Sequence, residues 1–220
     1  MLAKELITDN IPPLKTSDTG TRALDWMDEF RVSHLPIVNN NELLGVISEV
    51  DILDLNDSEQ PLGNHKLSLH KSFVYENQHI YEIIKLIDDQ KLTIVPILDA
   101  NDHYIGMVSL HEIVKTFAKM AALDSPGGII ILELGVRDYS LSEIARIVES
   151  NDAKILSSYV TSHVESTKVE VTLKINKTDL TRIIATFDRF SYNIKASYHQ
   201  DEFFEDLRER YDSFIHYLNI

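Results

Sequence analysis

The chain has 220 residues, which is enough for one large domain or two small ones. It carries 21 basic and 35 acidic residues, a formal charge of −14, and no Lys- or Arg-rich run, so binding to nucleic acid or to an anionic membrane surface is not expected. The absence of cysteine excludes disulfides, thiolate metal sites and thiol catalysis. No apolar run approaches the ~20 residues of a membrane span, and the first residues lack the apolar core of a signal peptide, so we expect a cytoplasmic protein.

The first 120 residues contain the same pattern twice. Residues 32–54 read VSHLPIVNNNELLGVISEVDILD, and residues 92–115 read LTIVPILDANDHYIGMVSLHEIVK. In each copy an apolar run contains a proline, and a second apolar run begins after a glycine. A Ser stands three residues beyond that glycine, and an acidic residue three beyond the Ser. A period that occurs only twice predicts a paired module, because solenoids need about three or more repeats. We expect function in the cleft between the two copies.

Hydrophobic periodicity predicts the same order of elements, helix–strand–strand–helix, in both copies. An extended segment leads into each copy, at 12–15 and at 72–76, and Thr21 is the predicted cap of the first helix. The predicted elements of the first copy are a helix over 23–30, strands over 35–38 and 43–47, and a helix over 49–55. Those of the second copy are a helix over 80–90, strands over 93–98 and 104–108, and a helix over 110–119.

A different pattern follows the repeats. The predicted elements are a strand over 129–134, a helix over 141–148, strands over 154–163 and 167–175, a helix over 180–190 and a strand over 193–198. This βαββαβ order is typical of the ferredoxin-like arrangement. The segment 201–220 predicts an amphipathic helix that docks on its own domain or on a second subunit, because five apolar residues share one face: Phe204, Leu207, Tyr211, Phe214 and Leu218.

The two repeats resemble a tandem pair of CBS domains, the so-called Bateman module. The resemblance lies in His34–Val38 with Gly45–Asp51, and in Val95–Leu98 with Gly106–Glu112. The remainder resembles an ACT-type domain by its element order, and the combination is similar to the acetoin-utilisation protein B group. The resemblance implies an α+β chain with CBS domain 1 over 1–60, CBS domain 2 over 66–122, a ferredoxin-like ACT-like domain over 127–200 and a C-terminal amphipathic helix over 201–220.

The resemblance also implies a site for an adenosine-containing ligand, such as AMP, ADP or ATP, in the cleft, with no cofactor required. Asp51 would accept the ribose hydroxyls beside Ser48, and His34 would contact phosphate. The residues expected at this first site are Ser48, Asp51, His34, Ile47, Ser72, Phe73 and Val74. A second, weaker site is expected because Glu112 replaces the Asp and Ile94 replaces the His; its residues are Thr93, Ser109, Glu112 and Pro13.

The same residues also have purely structural interpretations. Ser48 and Ser109 could be ordinary helix N-caps, and Asp51 and Glu112 could stabilise the first turns of their helices by ~0.3–1 kcal/mol without a ligand. His34 could be structural as well. The histidines lack a third ligand at metal spacing, and no nucleophile elbow or phosphate-binding glycine loop occurs, so neither a metal site nor an enzyme is expected.

These observations predict a regulatory protein whose CBS pair senses a nucleotide and transmits its occupancy to the ACT-like domain, with an unidentified regulated partner. The alternative is a ligand-free structural or dimerisation protein that acts through its CBS and ACT-like surfaces. A homodimer is expected, with apolar faces over 26–30 and 83–87 as candidate contacts. Amino-acid binding by the ACT-like domain is not favoured, because the loop 136–141 lacks the glycine that regulatory ACT domains usually place there.

Overall fold

The computed structural model describes residues 1–7, 10–67, 69–162 and 167–198. The chain divides into two compact units: unit 1 covers 1–116 and unit 2 covers 117–220. In the described ranges, none of the helices has both the length and the apolar character needed to cross a membrane. The predicted C-terminal helix over 201–220 lies outside the described residues.

Both repeats in unit 1 have the predicted order of elements. The first repeat contains α1 (Gly20–Phe30), β1 (His34–Asn39), β2 (Glu42–Ser48) and α2 (Glu49–Leu53). The second repeat contains β3 (Val74–Tyr75), α3 (Ile80–Gln90), β4 (Ile94–Leu98), β5 (Tyr104–Ser109) and α4 (Leu110–Met120). Strands β1 and β2 pair antiparallel, and β3, β4 and β5 form a second sheet in that order.

The N-cap of helix α1 is Thr19, two residues before the predicted cap Thr21. The hydroxyl of Thr19 accepts a hydrogen bond from the Arg22 N–H at 3.2 Å and caps the helix. The Thr21 hydroxyl instead donates to Glu59 Oε1 at 2.7 Å. This hydrogen bond links the segment between the repeats, which contains Glu59, to the start of α1. Leu62 of that segment is fully buried, so the polar segment is an anchored part of unit 1.

The glycine of each repeat lies where a second segment crosses the strand. Gly45 and Gly106 both have φ of 154°, a conformation that side chains rarely adopt. A Cβ on Gly45 would lie 2.6 Å from the Cβ of Leu69, and one on Gly106 would lie 2.4 Å from Cγ2 of Ile7. At the first crossing the Val46 N–H donates to the His70 carbonyl at 2.9 Å, which brings the lead-in of the second repeat against β2 of the first.

The two repeats share one hydrophobic core. Its fully buried members come from both pairs of strands and include Leu35, Ile37, Ile47, Ile94, Ile97 and Met107. Met27, Ile83 and Ile87, which the sequence offers as dimer contacts, are at most 9% exposed and pack into this core. The sequence left open which residues of these helix faces fill the core and which meet a second subunit, because an apolar helix face is the same pattern in both cases.

Unit 2 follows the order β6 (Gly128–Gly135), α5 (Leu141–Glu149), β7 (Ile155–Ser162), β8 (Lys168–Ile175), α6 (Thr181–Arg189) and β9 (Asn193–Tyr198). The four strands form an antiparallel sheet in the order β7-β8-β6-β9. Alternate residues of β6 and β8 are buried, as expected for a sheet with one covered face. Both helices contribute to the same core, through residues that include Ile144, Ile147, Ile183 and Phe187.

Candidate functional site

A cavity of about 500 Å³, which we call the first cavity, opens where the lead-in of the second repeat crosses β2. Its volume lies within the ~300–1,000 Å³ typical of small-molecule sites. Four predicted site residues line it: His34, Ser48, Asp51 and Ser72. The structure therefore brings together side chains from both repeats. The remaining lining residues are Val46, His70, Lys71, Gln90 and Leu92.

Three residues expected at the first site do not line this cavity. Ile47 and Val74 are 0% and 4% exposed and belong to the core of unit 1. Phe73 packs against a small cluster formed by Val38, Leu43 and Leu98. Alternation of side chains along extended backbone explains two of these absences: Ser48 and Ser72 line the cavity, so their neighbours Ile47 and Phe73 face away from it.

No sequence pattern pointed directly to His70, Lys71 and Gln90. Lys71 and Gln90 are exposed, and within the described ranges Lys71 makes no ion pair. Gln90 accepts a hydrogen bond from the hydroxyl of Ser72, which is only 4% exposed. The glycine at 45 was the available clue, because its positive φ admits the segment that carries His70 and Lys71. Lys71 is a cation that the site predicted from the sequence did not include.

Ser48 and Asp51 form a reciprocal cap at the start of α2. The Asp51 N–H donates to Ser48 Oγ at 3.1 Å, while Asp51 Oδ2 accepts from the Ser48 N–H at 2.9 Å and from the Ser48 hydroxyl at 2.6 Å. This is a capping box with Asp in place of the usual Glu. The N-cap interpretation of this pair is confirmed: the cap engages Oδ2 of Asp51, and Ser48 does not contact Oδ1.

His34 is held by hydrogen bonds to the second repeat. Its Nδ1 lies 3.1 Å from the Thr93 hydroxyl and 3.3 Å from the Thr93 backbone nitrogen. Burial lowers the pKa of His34 below its ordinary value of 6.5; the negative charge of Asp51 opposes this shift, and the neighbouring His70 adds to it. His34 is therefore neutral near pH 7 and lines the cavity as a hydrogen-bonding group, not as a cation.

A second cavity, of about 510 Å³, lies at the start of α4. Of the residues expected at the second site, Thr93 and Ser109 line it, whereas Glu112 and Pro13 do not. Ser109 Oγ accepts from the Glu112 N–H at 3.2 Å, but the Glu112 carboxylate pairs with Lys115 at 3.4 Å instead of returning to the cap. Among the residues that the structure describes, the lining of the second cavity thus contains no carboxylate. Its other residues are Phe30, Arg31, Val32, Leu110, His111 and Val114.

In unit 2 the loop before α5 is closed by its own side chains. Ser140 caps α5 by accepting from the Glu143 N–H at 3.4 Å, and Tyr139 packs on the core. A polar depression of about 660 Å³ lies elsewhere in this unit, where Lys177 already donates to the Asn151 carbonyl at 2.8 Å. Across the part of the chain that the structure describes, no three His, Asp or Glu side chains are grouped for metal binding.

Comparison with known proteins identifies the repeats. The family model described as "CBS domain" matches residues 3–57 and again residues 70–119. The chain contains a tandem pair of CBS domains. The two matches cover the paired modules predicted from the repeat, including the Gly45–Asp51 and Gly106–Glu112 segments on which the resemblance rested.

Individual relatives are distant. Homoserine O-acetyltransferase of Methanococcus vannielii is 26% identical over 120 residues, which are 52% of this chain and 24% of that enzyme. The chain therefore spans about a quarter of that relative's length. A CBS domain pair/ACT domain protein of Thermotoga maritima is 26% identical with a TM-score of 0.48, covering 54% of this chain and 98% of that one. The protein CBSX2, solved in complex with AMP, is 22% identical with a TM-score of 0.46, covering 54% and 96%.

Proposed function

We propose that the protein is a regulatory, non-catalytic ligand sensor that binds an adenosine-containing nucleotide in the first cavity of its CBS pair. One observation carries the proposal: Asp51, at the start of α2, lines the same cavity as His34 and Lys71. AMP, ADP and ATP are the candidate ligands, because these are the ligands that the resemblance to nucleotide-binding CBS pairs implies.

The polar groups of the first cavity suit such a ligand. Asp51 offers a carboxylate oxygen, which accepts hydrogen bonds and so matches the two ribose hydroxyls. Lys71 offers an ammonium group without a partner among the described residues, which matches a phosphate. A nucleotide carries both features, the hydroxyls on its ribose and the phosphate on the 5′ carbon of the same ribose, whereas a free sugar or free phosphate has only one of them.

Ligand binding has to coexist with the cap on α2. The Asp51 carboxylate already accepts two hydrogen bonds from Ser48 through Oδ2, so a ribose would be bound through Oδ1. The cap fixes the carboxylate in one orientation before the ligand arrives, and this reduces the entropy lost on binding. Ser48 acts here by holding Asp51, and Ser72 by holding Gln90, so neither hydroxyl needs to contact the nucleotide.

The second cavity is a weaker nucleotide site in this proposal. Its described lining has hydroxyls from Thr93 and Ser109, together with the basic Arg31 and His111, but no carboxylate for the ribose. Glu112 would have to leave Lys115 to supply one. We therefore assign the higher affinity to the first cavity.

Unit 2 is an ACT-type domain of ferredoxin-like arrangement in this proposal, and it receives the signal from the CBS pair, as in the acetoin-utilisation protein B group. The antiparallel order β7-β8-β6-β9 and the βαββαβ sequence of elements support the assignment. An amino-acid ligand is not proposed, because Ser140 and Tyr139 occupy the loop where an approach by backbone amides would be needed.

A ligand-free assembly protein is the second candidate, favoured by the exposed apolar residues of α2 and α4. Val50 and Leu53 of α2 are 66% and 65% exposed, and Val114 of α4 is 61% exposed. Burying such side chains is worth ~1.5–3 kcal/mol each, so a homodimer through these helices would have a physical driving force. In this candidate the Ser48–Asp51 pair is only a helix cap.

Thermal unfolding of the full chain with AMP, ADP, ATP, adenosine or inorganic phosphate separates the two candidates. A nucleotide at 100 times its dissociation constant adds ~2.7 kcal/mol to the free energy of unfolding, which raises the melting temperature by several degrees. We expect AMP, ADP or ATP to do so and adenosine and phosphate to be weaker. No stabilisation by any nucleotide at millimolar concentration would refute the sensor and leave the assembly role.

A further inference from the structure

The hydrogen bonds around His34 fix the position of its ring proton. The backbone N–H of Thr93 lies 3.3 Å from Nδ1 of His34, and a backbone N–H can only donate. The Nδ1 atom must therefore be the acceptor, and the proton of the neutral ring must be on Nε2. Because Nδ1 faces Thr93, the Nε2–H is the polar group that His34 can present to the first cavity it lines.

The Thr93 hydroxyl strengthens the same arrangement. Its oxygen accepts a hydrogen bond from the Ser33 N–H at 2.9 Å, so its single proton is free to donate to Nδ1 of His34 at 3.1 Å. The donors thus run in one direction, from the Ser33 N–H through the Thr93 hydroxyl to the imidazole. The Nδ1 atom receives two donors, and a proton on that atom would face both of them.

We propose that Thr93 is a positioning residue for the first cavity, although the sequence assigned it to the second site. Thr93 holds His34 as an Nε2–H donor. The ligand atom beside His34 must therefore be an acceptor, such as a phosphate oxygen. The ligand part of this inference rests on the proposed nucleotide binding. The role is specific to the first cavity, because Ile94 stands in the second repeat where His34 stands in the first.

The proton on His34 is measured without any ligand. In the full chain labelled with ¹⁵N-histidine, long-range ¹H–¹⁵N spectra distinguish the protonated from the unprotonated ring nitrogen, and the His34→Gln variant identifies the signal. We expect an unprotonated, hydrogen-bonded Nδ1 and a protonated Nε2 in the wild type at pH 7.5. Thr93→Val removes the hydroxyl at nearly constant volume and should shift the Nδ1 resonance, whereas Thr93→Ser, which keeps the hydroxyl, should not.

Calorimetry with AMP completes the test. Loss of the orienting hydroxyl should weaken binding about three- to tenfold in Thr93→Val, the loss expected for one net hydrogen bond, and leave Thr93→Ser close to wild type. A proton on Nδ1 of wild-type His34 would overturn the proposal even if no variant folded. Equal AMP affinity in Thr93→Val and wild type would overturn the positioning role. A wild type that binds no AMP, ADP or ATP would instead refute the proposed function, while the spectra would still decide the tautomer.

Discussion

Replacing Asp51 by Ala tests the candidate site most directly, because this carboxylate has two separable roles. It accepts two hydrogen bonds within the cap of α2, and in the proposed complex its other oxygen accepts the ribose hydroxyls. The cap affects stability, and the ribose contact affects affinity. Measuring both quantities on the same variants therefore separates the structural from the functional interpretation.

In Asp51→Ala the expected loss of binding free energy is larger than the expected loss of stability. Losing a charge-assisted pair of hydrogen bonds to the ligand should cost ~2–4 kcal/mol, which is more than tenfold in affinity. The loss of stability should be near the lower end of the ~0.5–2 kcal/mol found for N-caps, because the hydroxyl of Ser48 still accepts from the N–H at position 51. Asp51→Asn keeps a side-chain oxygen for the cap but not the charge, so it should retain stability while losing affinity.

Isothermal titration with AMP, ADP and ATP and urea unfolding would be run on the wild type, Asp51→Ala, Asp51→Asn and Glu112→Ala. Glu112→Ala is the matched control, because it removes the corresponding acidic residue of the second repeat, which pairs with Lys115 outside the second cavity. We expect its affinity at the first cavity to be unchanged. Nucleotide affinity in Asp51→Ala equal to that of the wild type would refute the assignment and reduce the motif to a helix cap.

Three further predictions follow from other parts of unit 1. Gly45→Ala should weaken nucleotide binding by about tenfold or more, since the new Cβ would meet Leu69 at 2.6 Å and displace the segment carrying His70 and Lys71; it should also lose more than ~1 kcal/mol of stability. Gly106→Ala is strained in the same way, but its new Cβ would meet Ile7, which does not line the first cavity, so it should keep the affinity. Equal calorimetric affinities in the two variants would contradict the crossing-segment argument. The free energy of unfolding should fall as pH drops from 6.5 towards the lowered pKa of His34, because in this window the unfolded chain binds more protons than the folded one. Urea titrations should show a shallower pH dependence of this free energy for His34→Gln. An unchanged pH dependence would mean that His34 does not titrate as inferred. If α2 and α4 form a dimer, light scattering should give twice the chain mass of 25.2 kDa for the wild type and the single mass for Leu53→Asp with Val114→Asp; a wild-type monomer at micromolar concentration would rule the dimer out.

The sequence was sufficient for the α-helices and strands of the two repeats because their signals are local. Apolar periodicity, a turn after each proline-containing run and a glycine before each Ser predicted the helices and strands to within a few residues. Strand β4 contains Pro96 and yet pairs on both sides, although proline in sheets is found mainly on edge strands. It tolerates the proline because β3 reaches only Ile97 and Leu98, beyond the position that lacks an N–H.

The sequence alone determined that the two repeats exist, that Ser48 and Asp51 lie together at a helix start, and that Glu112 departs from this pattern, since each depends on spacing within a few residues. Only the tertiary structure decided which residues share the cavity. The crossing at Gly45 brings His70 and Lys71 to Asp51, and Thr93 reaches 59 residues back along the chain to hold His34. Such contacts depend on how two similar halves pack, and no local periodicity carries that information.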